Sequence, residues 1–457
     1  VRTFRGGVHP HDHKELAREA AIEPVPLPER LVVSMNQQLG APAKAVVEPG
    51  AEVLRGELLG EAGGFVSAPV HAPTSGRVVD VAPHPHPVAG SAPAVVIEPD
   101  GRDAWAEGCD RDSGERLDAV EPGEIVARIR EAGVVGMGGA TFPTHVKLSP
   151  PKDKSIEVVI LNGCECEPYL TADHRLMLER TAEVVSGLRL LVKAVGASRG
   201  VIGVEANKPD AAQALSGLAA EFGFPVEVLR VKYPQGAEKQ LIKALTGREV
   251  PSGGLPMDVG CLVQNVGTAV AAHEAVLRAR PVTERVCTVT GRGAARPGNY
   301  LVRVGMPMAH LLAHAGVRGG VRRLVLGGPM MGLAQWTADV PVLKGTSGVL
   351  ALMDAPEWKT RACISCGRCV EGCPSYLVPS RLSILAEAGA FSEMIDEANA
   401  LDCIECGVCT YVCPARRPIV QWIRQAKWEA RIRKMKADRV RAEEAKRAQE
   451  KESAATA

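Results

Sequence analysis

Eight cysteines in two runs constrain this chain more than anything else in it. The first run reads Cys363-Ile-Ser-Cys366-Gly-Arg-Cys369-Val-Glu-Gly-Cys373-Pro374, and the pattern returns as Cys403-Ile-Glu-Cys406-Gly-Val-Cys409-Thr-Tyr-Val-Cys413-Pro414. Both are C-x2-C-x2-C-x3-C-P. Three thiolates so spaced grip three irons of one cubane, and the fourth faces away to ligate the other cluster. The spacing assigns Cys363, Cys366, Cys369 and Cys413 to one [4Fe–4S] cluster and Cys403, Cys406, Cys409 and Cys373 to a second. Paired C-x2-C also builds zinc ribbons. Zinc, however, gives no reason for a third cysteine at the same spacing or for Cys-Pro after both runs. A disulfide framework belongs to short secreted chains. Two neighbouring clusters make an electron wire, so the rest of the chain should hold a donor site, an acceptor surface, or both.

A chain of 457 residues has room for roughly three domains. Its net charge of +1 gives no sign of nucleic acid. The remaining cysteines (Cys109, Cys164, Cys166, Cys261 and Cys287) form no paired framework, which fits a reducing compartment. No apolar run approaches the roughly 18 residues of a transmembrane helix, and the segment 1–7 lacks an apolar signal core. The expected location is cytosolic, or peripheral on the cytosolic side of a membrane.

The expected architecture is multidomain, α/β plus β. Residues 1–30, rich in Pro and His, read as a surface-hugging extension; His9, His11 and His13 alternate without a matching metal-ligand set nearby. From 31 to 100, short apolar pieces alternate with Pro-Gly and Ser-Gly turns. This segment resembles the biotinyl/lipoyl barrel-sandwich module. It lacks the modified lysine of that family near the expected hairpin, so it reads as an unmodified structural or docking copy. Residues 101–120 are a polar linker. From 121 to 280, strand and helix patterns alternate as in a Rossmann-like parallel sheet, with one long helix expected over 174–195 and another over 266–279. Residues 285–353 return to β with a short helix at 308–314, resembling a β-grasp module of the soluble-ligand-binding (SLBB) type. The two-cluster ferredoxin domain spans 357–417, with a helix at 382–388. A charged helical tail, 418–457, loses its apolar face past about Met435 and is expected to end solvated or disordered.

A second chemical site follows the first helix of the α/β segment. Gly136-Met-Gly-Gly139-Ala-Thr-Phe142-Pro-Thr-His-Val-Lys147 is a glycine-rich loop of the kind that lets backbone N–H groups approach a phosphate. The next strand ends in Asn162-Gly-Cys164-Glu165-Cys166-Glu167-Pro168, where open α/β sheets bind ligands. The combination resembles the NADH-binding flavoprotein subunit of respiratory complex I. Gln264-Asn265-Val-Gly-Thr268 and Tyr233-Pro-Gln-Gly236-Ala237-Glu238 resemble that family's elements beside FMN and at the nicotinamide. This chain departs from the family at Met137, Cys164 and Ala237, where arginine, aspartate and glutamate are usual.

The order of modules, opened by Phe4-Arg-Gly-Gly-Val-His-Pro10, resembles the RnfC family of the Rnf ion-translocating electron-transport complex over nearly the whole chain. The resemblance implies a peripheral enzyme subunit on the cytoplasmic face of a bacterial inner membrane. It would exchange hydride with NADH/NAD+ and electrons with ferredoxin through partners of the Rnf A, B, D, E and G type, and leave ion movement to them. It implies FMN held by Gly136, Gly138, Gly139, Ala140, Lys147, Asn162, Glu165 and Asn265, and nicotinamide contacts from Phe142, Glu167 and Glu238. No side chain is needed as acid or base, because the flavin carries the chemistry. The alternatives are a soluble flavin/iron–sulfur cobalamin reductase and a non-catalytic iron–sulfur scaffold with a dead nucleotide pocket.

Overall fold

In the first β segment, Leu31, Val33 and Met35 alternate inward, as strands buried on one face do. The strands Leu31–Ser34, Gly90–Pro99, Gly76–His86 and Glu52–Val53 form an antiparallel sheet in that order. A second, three-stranded sheet holds Lys44–Ala45, Leu58–Glu61 and Val70–His71. Val33, Leu59, Val70, Val78 and Ile97 fill one core, each worth about 1.5–3 kcal/mol when fully buried. The computed structural model describes residues 2–456 except 112, 113, 115 and 357. The chain divides into two units: Val1–Phe4 with His9–Pro356, and Arg5–Val8 with Glu357–Ala457.

The α/β part of the first unit is a parallel sheet ordered Val226–Leu229, Arg199–Glu205, Val158–Gly163, Cys261–Asn265. Its central strand is apolar on both faces because both are covered. Val159 and Leu161 join a core with the helices Pro122–Glu131, Thr181–Val195, Pro209–Ala219 and Val266–Leu277. Val158 and Ile160 meet Leu241, Ile242 and Leu245 of Glu238–Thr246 on the other face. A Cβ on Gly187 would lie 2.0 Å from the Ala269 carbonyl oxygen, so Thr181–Val195 and Val266–Leu277 can approach only through that glycine. The single helix expected over 174–195 is two, Ala172–Glu179 and Thr181–Val195. Arg180, at φ −128° and ψ 34°, breaks it, and its guanidinium bonds Glu183 and Glu274 at 2.7 Å each.

The third region is a six-stranded mixed sheet ordered Ile22–Pro24, Gly298–Arg303, Glu284–Thr290, Gly348–Leu352, Arg323–Leu326, Leu333–Gln335. The helix Met308–His314 covers it. Here the reading of 1–30 as a surface extension is corrected. Ile22–Pro24 is an edge strand of this sheet, and Arg2 bridges to Leu229 at the edge of the parallel sheet. Backbone pairing with partners more than two hundred residues away leaves no local trace in an apolar pattern.

In the second unit the two cysteine runs fold alike. The short helices Arg368–Gly372 and Val408–Tyr411 open on Gly367 and Gly407, at φ 75° and 76°. Pro379–Glu387, Phe391–Asp396 and the first turns of Ile419–Thr456 close the core through Leu382, Met394, Ile419 and Ile423. The tail expected to end solvated or disordered is helical to Thr456, and among the described residues Ala426 is the last in the core. Among the described residues no helix is long and apolar enough to cross a membrane.

Candidate flavin and iron–sulfur sites

The eight cysteines sort into two small cavities. Cys363, Cys366, Cys369 and Cys413 line one; Cys403, Cys406, Cys409 and Cys373 line the other. The fold thus places the fourth cysteine of each run with the first three of the other. None of them is joined in a disulfide. The N–H of Ser365 donates to Cys363 Sγ at 3.4 Å and that of Glu405 to Cys403 Sγ at 3.3 Å, matching contacts in the two runs. Burial first, and then the neighbouring thiols, push Cys406 up to about 12 and Cys409 higher still. Four sulfurs packed in an apolar cavity can ionise together only beside cations, which the irons of a cubane provide. The donor set therefore fits two cubanes.

The glycine loop sits between Val135 and Pro143, which bridge to each other. Gly136 N–H donates to the Phe142 carbonyl at 2.9 Å, and Thr141 N–H to the Gly136 carbonyl at 3.2 Å. Met137 turns inward; its N–H donates to Thr268 Oγ1 at 2.9 Å and its side chain joins the core. Gly138, Gly139 and Ala140 lie at the surface of the loop, and among the described residues their N–H groups donate to no protein atom. Gly139 has φ +105° and open space where a Cβ would stand. Three consecutive free donors on glycine-permitted backbone fit an anionic phosphate.

Asn162 and Asn265 end adjacent parallel strands and are register partners. Asn162 Nδ2 donates to the Gly236 carbonyl at 2.8 Å, and its Oδ1 accepts from Cys164 N–H at 3.1 Å. Asn265 caps Val266–Leu277 by accepting from Gly267 N–H at 2.8 Å, donates to Asp173 Oδ2 at 2.6 Å, and lies against Gly138. The loop, Asn265 and Asn162 therefore share the C-terminal edge of the sheet.

Lys147, expected at FMN, and Glu238, expected at the nicotinamide, are an ion pair at 2.6 Å; Lys147 also donates to the Val263 carbonyl at 3.2 Å. Their side chains are 29% and 36% exposed, so the pair contributes under about 1 kcal/mol and can open to a ligand.

Glu165 and Glu167 are not on a solvated loop. Glu165 Oε1 accepts from Asp173 N–H at 2.7 Å, at the start of Ala172–Glu179, and its Oε2 lies 3.7 Å from Lys14 Nζ. Glu167 accepts from Met330 N–H at 3.1 Å and Met331 N–H at 2.8 Å, holding the turn before Leu333–Gln335. Burial raises the Glu167 carboxyl above the usual range, against these donors, which lower it. Both carboxylates, expected to meet ligand, are bonded to the protein's own backbone.

Several residues here escaped the sequence reading. Asp173 bonds Asn265 and stands beside Glu165; loss of hydration, then that carboxylate, raises it. Buried Lys14 donates to the Glu167 and Leu170 carbonyls, and buried Lys208 to the Cys164 carbonyl at 2.6 Å. Arg285 braces the loop from beneath, donating to the Met137 carbonyl at 3.4 Å and to the Lys344 carbonyl. Lys344 Nζ donates to the carbonyls of Pro69 at 2.9 Å and Gly133 at 2.8 Å. Asp173 had a usable signal, an acid directly before the helix expected from 174; the lysines had none. The histidines thought to lack a ligand set do gain an acid: His11, His13 and Glu15 bring their polar atoms within 4.8 Å of one another. There His11 Nδ1 accepts from His13 N–H at 3.2 Å and the His13 ring stacks on Tyr169. A wide cleft lined by Gly56, His71, Cys109, Arg128 and Val276 contains none of the predicted site residues.

Three family descriptions match successive parts of the chain: an RnfC barrel sandwich hybrid domain at residues 2–102, a Nuo51 FMN-binding domain at 129–274 and a 4Fe-4S dicluster domain at 355–414. With the paired cysteine cavities and the glycine loop, they define a flavin- and iron–sulfur-carrying electron-transfer protein. The chain is 47% identical to the C subunit of the proton-translocating ferredoxin:NAD(+) oxidoreductase complex of Clostridium ljungdahlii, over 94% of each chain. It is 43% identical to the C subunit of the Na(+)-translocating ferredoxin:NAD(+) oxidoreductase complex of Acetobacterium woodii, over 93% of this chain and 97% of that one. The chain belongs to the RnfC family. In fold it is similar to an NAD+-reducing [NiFe]-hydrogenase chain in the H2-reduced state, at TM-score 0.50 and 19% identity over 71% of this chain and 68% of that one.

Proposed function

We propose that this chain is the NAD(H)-facing subunit of an Rnf-type, ion-translocating NADH:ferredoxin oxidoreductase. The observation that carries the reading is a chain of this family that pairs a phosphate-fitting glycine loop with two four-cysteine cavities. Bound FMN would let a two-electron hydride donor communicate with one-electron clusters. The N–H groups of Gly138, Gly139 and Ala140 bind the flavin phosphate, with Gly136 shaping the loop and Lys147 as the point charge once it leaves Glu238. Asn162 and Asn265 orient the flavin at the sheet edge. Phe142 and Glu238 face the nicotinamide. Glu165 and Glu167 act by fixing the backbone around the site, because both already accept from protein N–H groups. Cys363, Cys366, Cys369 and Cys413 hold one cluster; Cys403, Cys406, Cys409 and Cys373 hold the other.

Within this reading the parallel sheet, over 121–280, is a Rossmann-like nucleotide domain. The mixed sheet is an SLBB-type β-grasp module over 285–353, completed by the edge strand Ile22–Pro24. The barrel sandwich takes 31–100, the ferredoxin domain 357–417 and the tail 418–457. The subunit sits peripherally on the cytoplasmic face of the membrane, held by the other Rnf subunits, and reaches ferredoxin through them.

The test is an anaerobic absorption spectrum of the chain loaded with FMN and clusters, before and after NADH. Bleaching of the cluster band on NADH addition requires nucleotide site, flavin and wire together. Flavin reduction without cluster bleaching, or no change at all, refutes the reading.

A further inference from the structure

The opening motif Phe4-Arg-Gly-Gly-Val-His-Pro10 has no role in either site described above. Its middle residues, Arg5–Val8, belong to the second unit. There Gly7 N–H donates to the Gly372 carbonyl at 2.8 Å. Gly6 and Gly7 have φ of +81° and +77°, a region where L side chains are strained. A Cβ on Gly6 would stand 2.9 Å from the Cys373 carbonyl oxygen, 3.1 Å from its carbon and 3.2 Å from the Gly372 oxygen. Two glycines therefore lay bare backbone flat against residues 372 and 373.

Residue 373 is the crossing cysteine, the one cysteine of the first run that lines the cavity of Cys403, Cys406 and Cys409. It ends the five-residue helix Arg368–Gly372; its N–H donates to the Val370 carbonyl at 3.2 Å and its carbonyl accepts from Tyr376 N–H at 3.4 Å. Gly372 is also tight against Val408 Cγ1, at 2.9 Å from an added Cβ. Val408 and the Gly6–Gly7 backbone thus both approach the Gly372–Cys373 peptide closely. The turn after Cys413 is held differently, by Arg361 N–H donating to the Ala415 carbonyl at 2.9 Å.

We infer that residues 5–8 form a backbone clasp that positions Cys373, and through it sets the properties of one cluster and not the other. The inference rests on the dicluster reading. Groups behind a ligand fix its position, hydration and hydrogen bonding, and these set the potential of an iron–sulfur centre. Gly6 is in this sense a positioning residue: it touches the ligand's peptide and no sulfur.

The experiment uses the full chain, purified anaerobically with its clusters, and follows both by redox titration with low-temperature EPR. Cys403→Ala identifies which signal belongs to the cavity shared with Cys373. Gly6→Ala is the test. Gly389→Ala is the control, since Gly389 lies in the same unit at φ +69° with nothing within 4 Å of its Cβ position. The expected result is a shifted potential or reduced spin count for the signal that Cys403→Ala abolishes. The other signal stays at wild type, and Gly389→Ala moves neither. Two unchanged signals in Gly6→Ala overturn the clasp. So does equal damage to both signals, which would make the segment a general support of the unit, and so does the same selective effect from Gly389→Ala. A wild-type chain with about four irons and a single signal would instead overturn the dicluster reading.

Discussion

Lys344 offers a quantitative check on the bracing beneath the glycine loop. It is fully buried, and its Nζ donates to the Pro69 and Gly133 carbonyls, with no carboxylate in contact among the described residues. Burial lowers its ammonium from 10.5 to about 7. Because the folded state holds this proton less tightly than the unfolded state, the group costs stability while the unfolded chain is protonated. That cost shrinks as pH rises from 7 towards 10.5. At about 1.4 kcal/mol for each tenfold difference in proton affinity, the penalty is about 4 kcal/mol near pH 7 and about 2 kcal/mol near pH 9. His71, lowered to about 3 by burial and by Lys344, titrates below this window and does not disturb it. In Lys344→Met the amine is gone, and two buried carbonyls lose their donor at about 1–3 kcal/mol each. The sign of the change near pH 7 is therefore a balance of similar terms, but the pH slope is not. Urea unfolding of wild type and Lys344→Met, followed by tryptophan fluorescence near pH 7 and pH 9, should show wild type gaining about 2 kcal/mol more than the variant. Equal gains in the two proteins would refute the assignment of Lys344 as a buried, unpaired amine.

The cluster wiring has an equally direct test. Cys373→Ala with Cys403→Ala places both losses in one cavity, so about four of roughly eight irons and one intact EPR signal should remain; loss of both signals from a folded chain refutes crossed ligation. Lys147→Ala should weaken FMN binding by about tenfold, the yield of a charge-assisted bond discounted for exposure and for its partner Glu238, with iron content unchanged. Flavin retained at the wild-type level would move the phosphate elsewhere.

The grouping of the eight cysteines into two sets of four was legible in the sequence because the geometry of each run is local. Within each run, spacing and a left-handed glycine place three sulfurs over a few residues, and the crossing of the fourth follows from the same spacing. The strand and helix alternation of the α/β part was legible for the same reason, since period decides which face each side chain takes. Arg180 marks where that stops: a side chain bonded to Glu274, far along the chain, broke a helix that local pattern alone would continue.

The roles of Glu165, Glu167, Lys14 and Lys344 were decided only in three dimensions. Whether an acid meets ligand or protein depends on which N–H groups arrive beside it, and for Glu167 these come from Met330 and Met331. Lys14 falls in the segment read as a surface-hugging extension, yet it is buried and donates to the Leu170 carbonyl. The N-terminal segment shows the division most plainly. Its two adjacent glycines mark a special backbone in the sequence. Only tertiary structure gives Ile22–Pro24 to one sheet and lays Gly6 on the peptide of Cys373, because a backbone's pairing partner is chosen by the whole fold and written in no nearby residue.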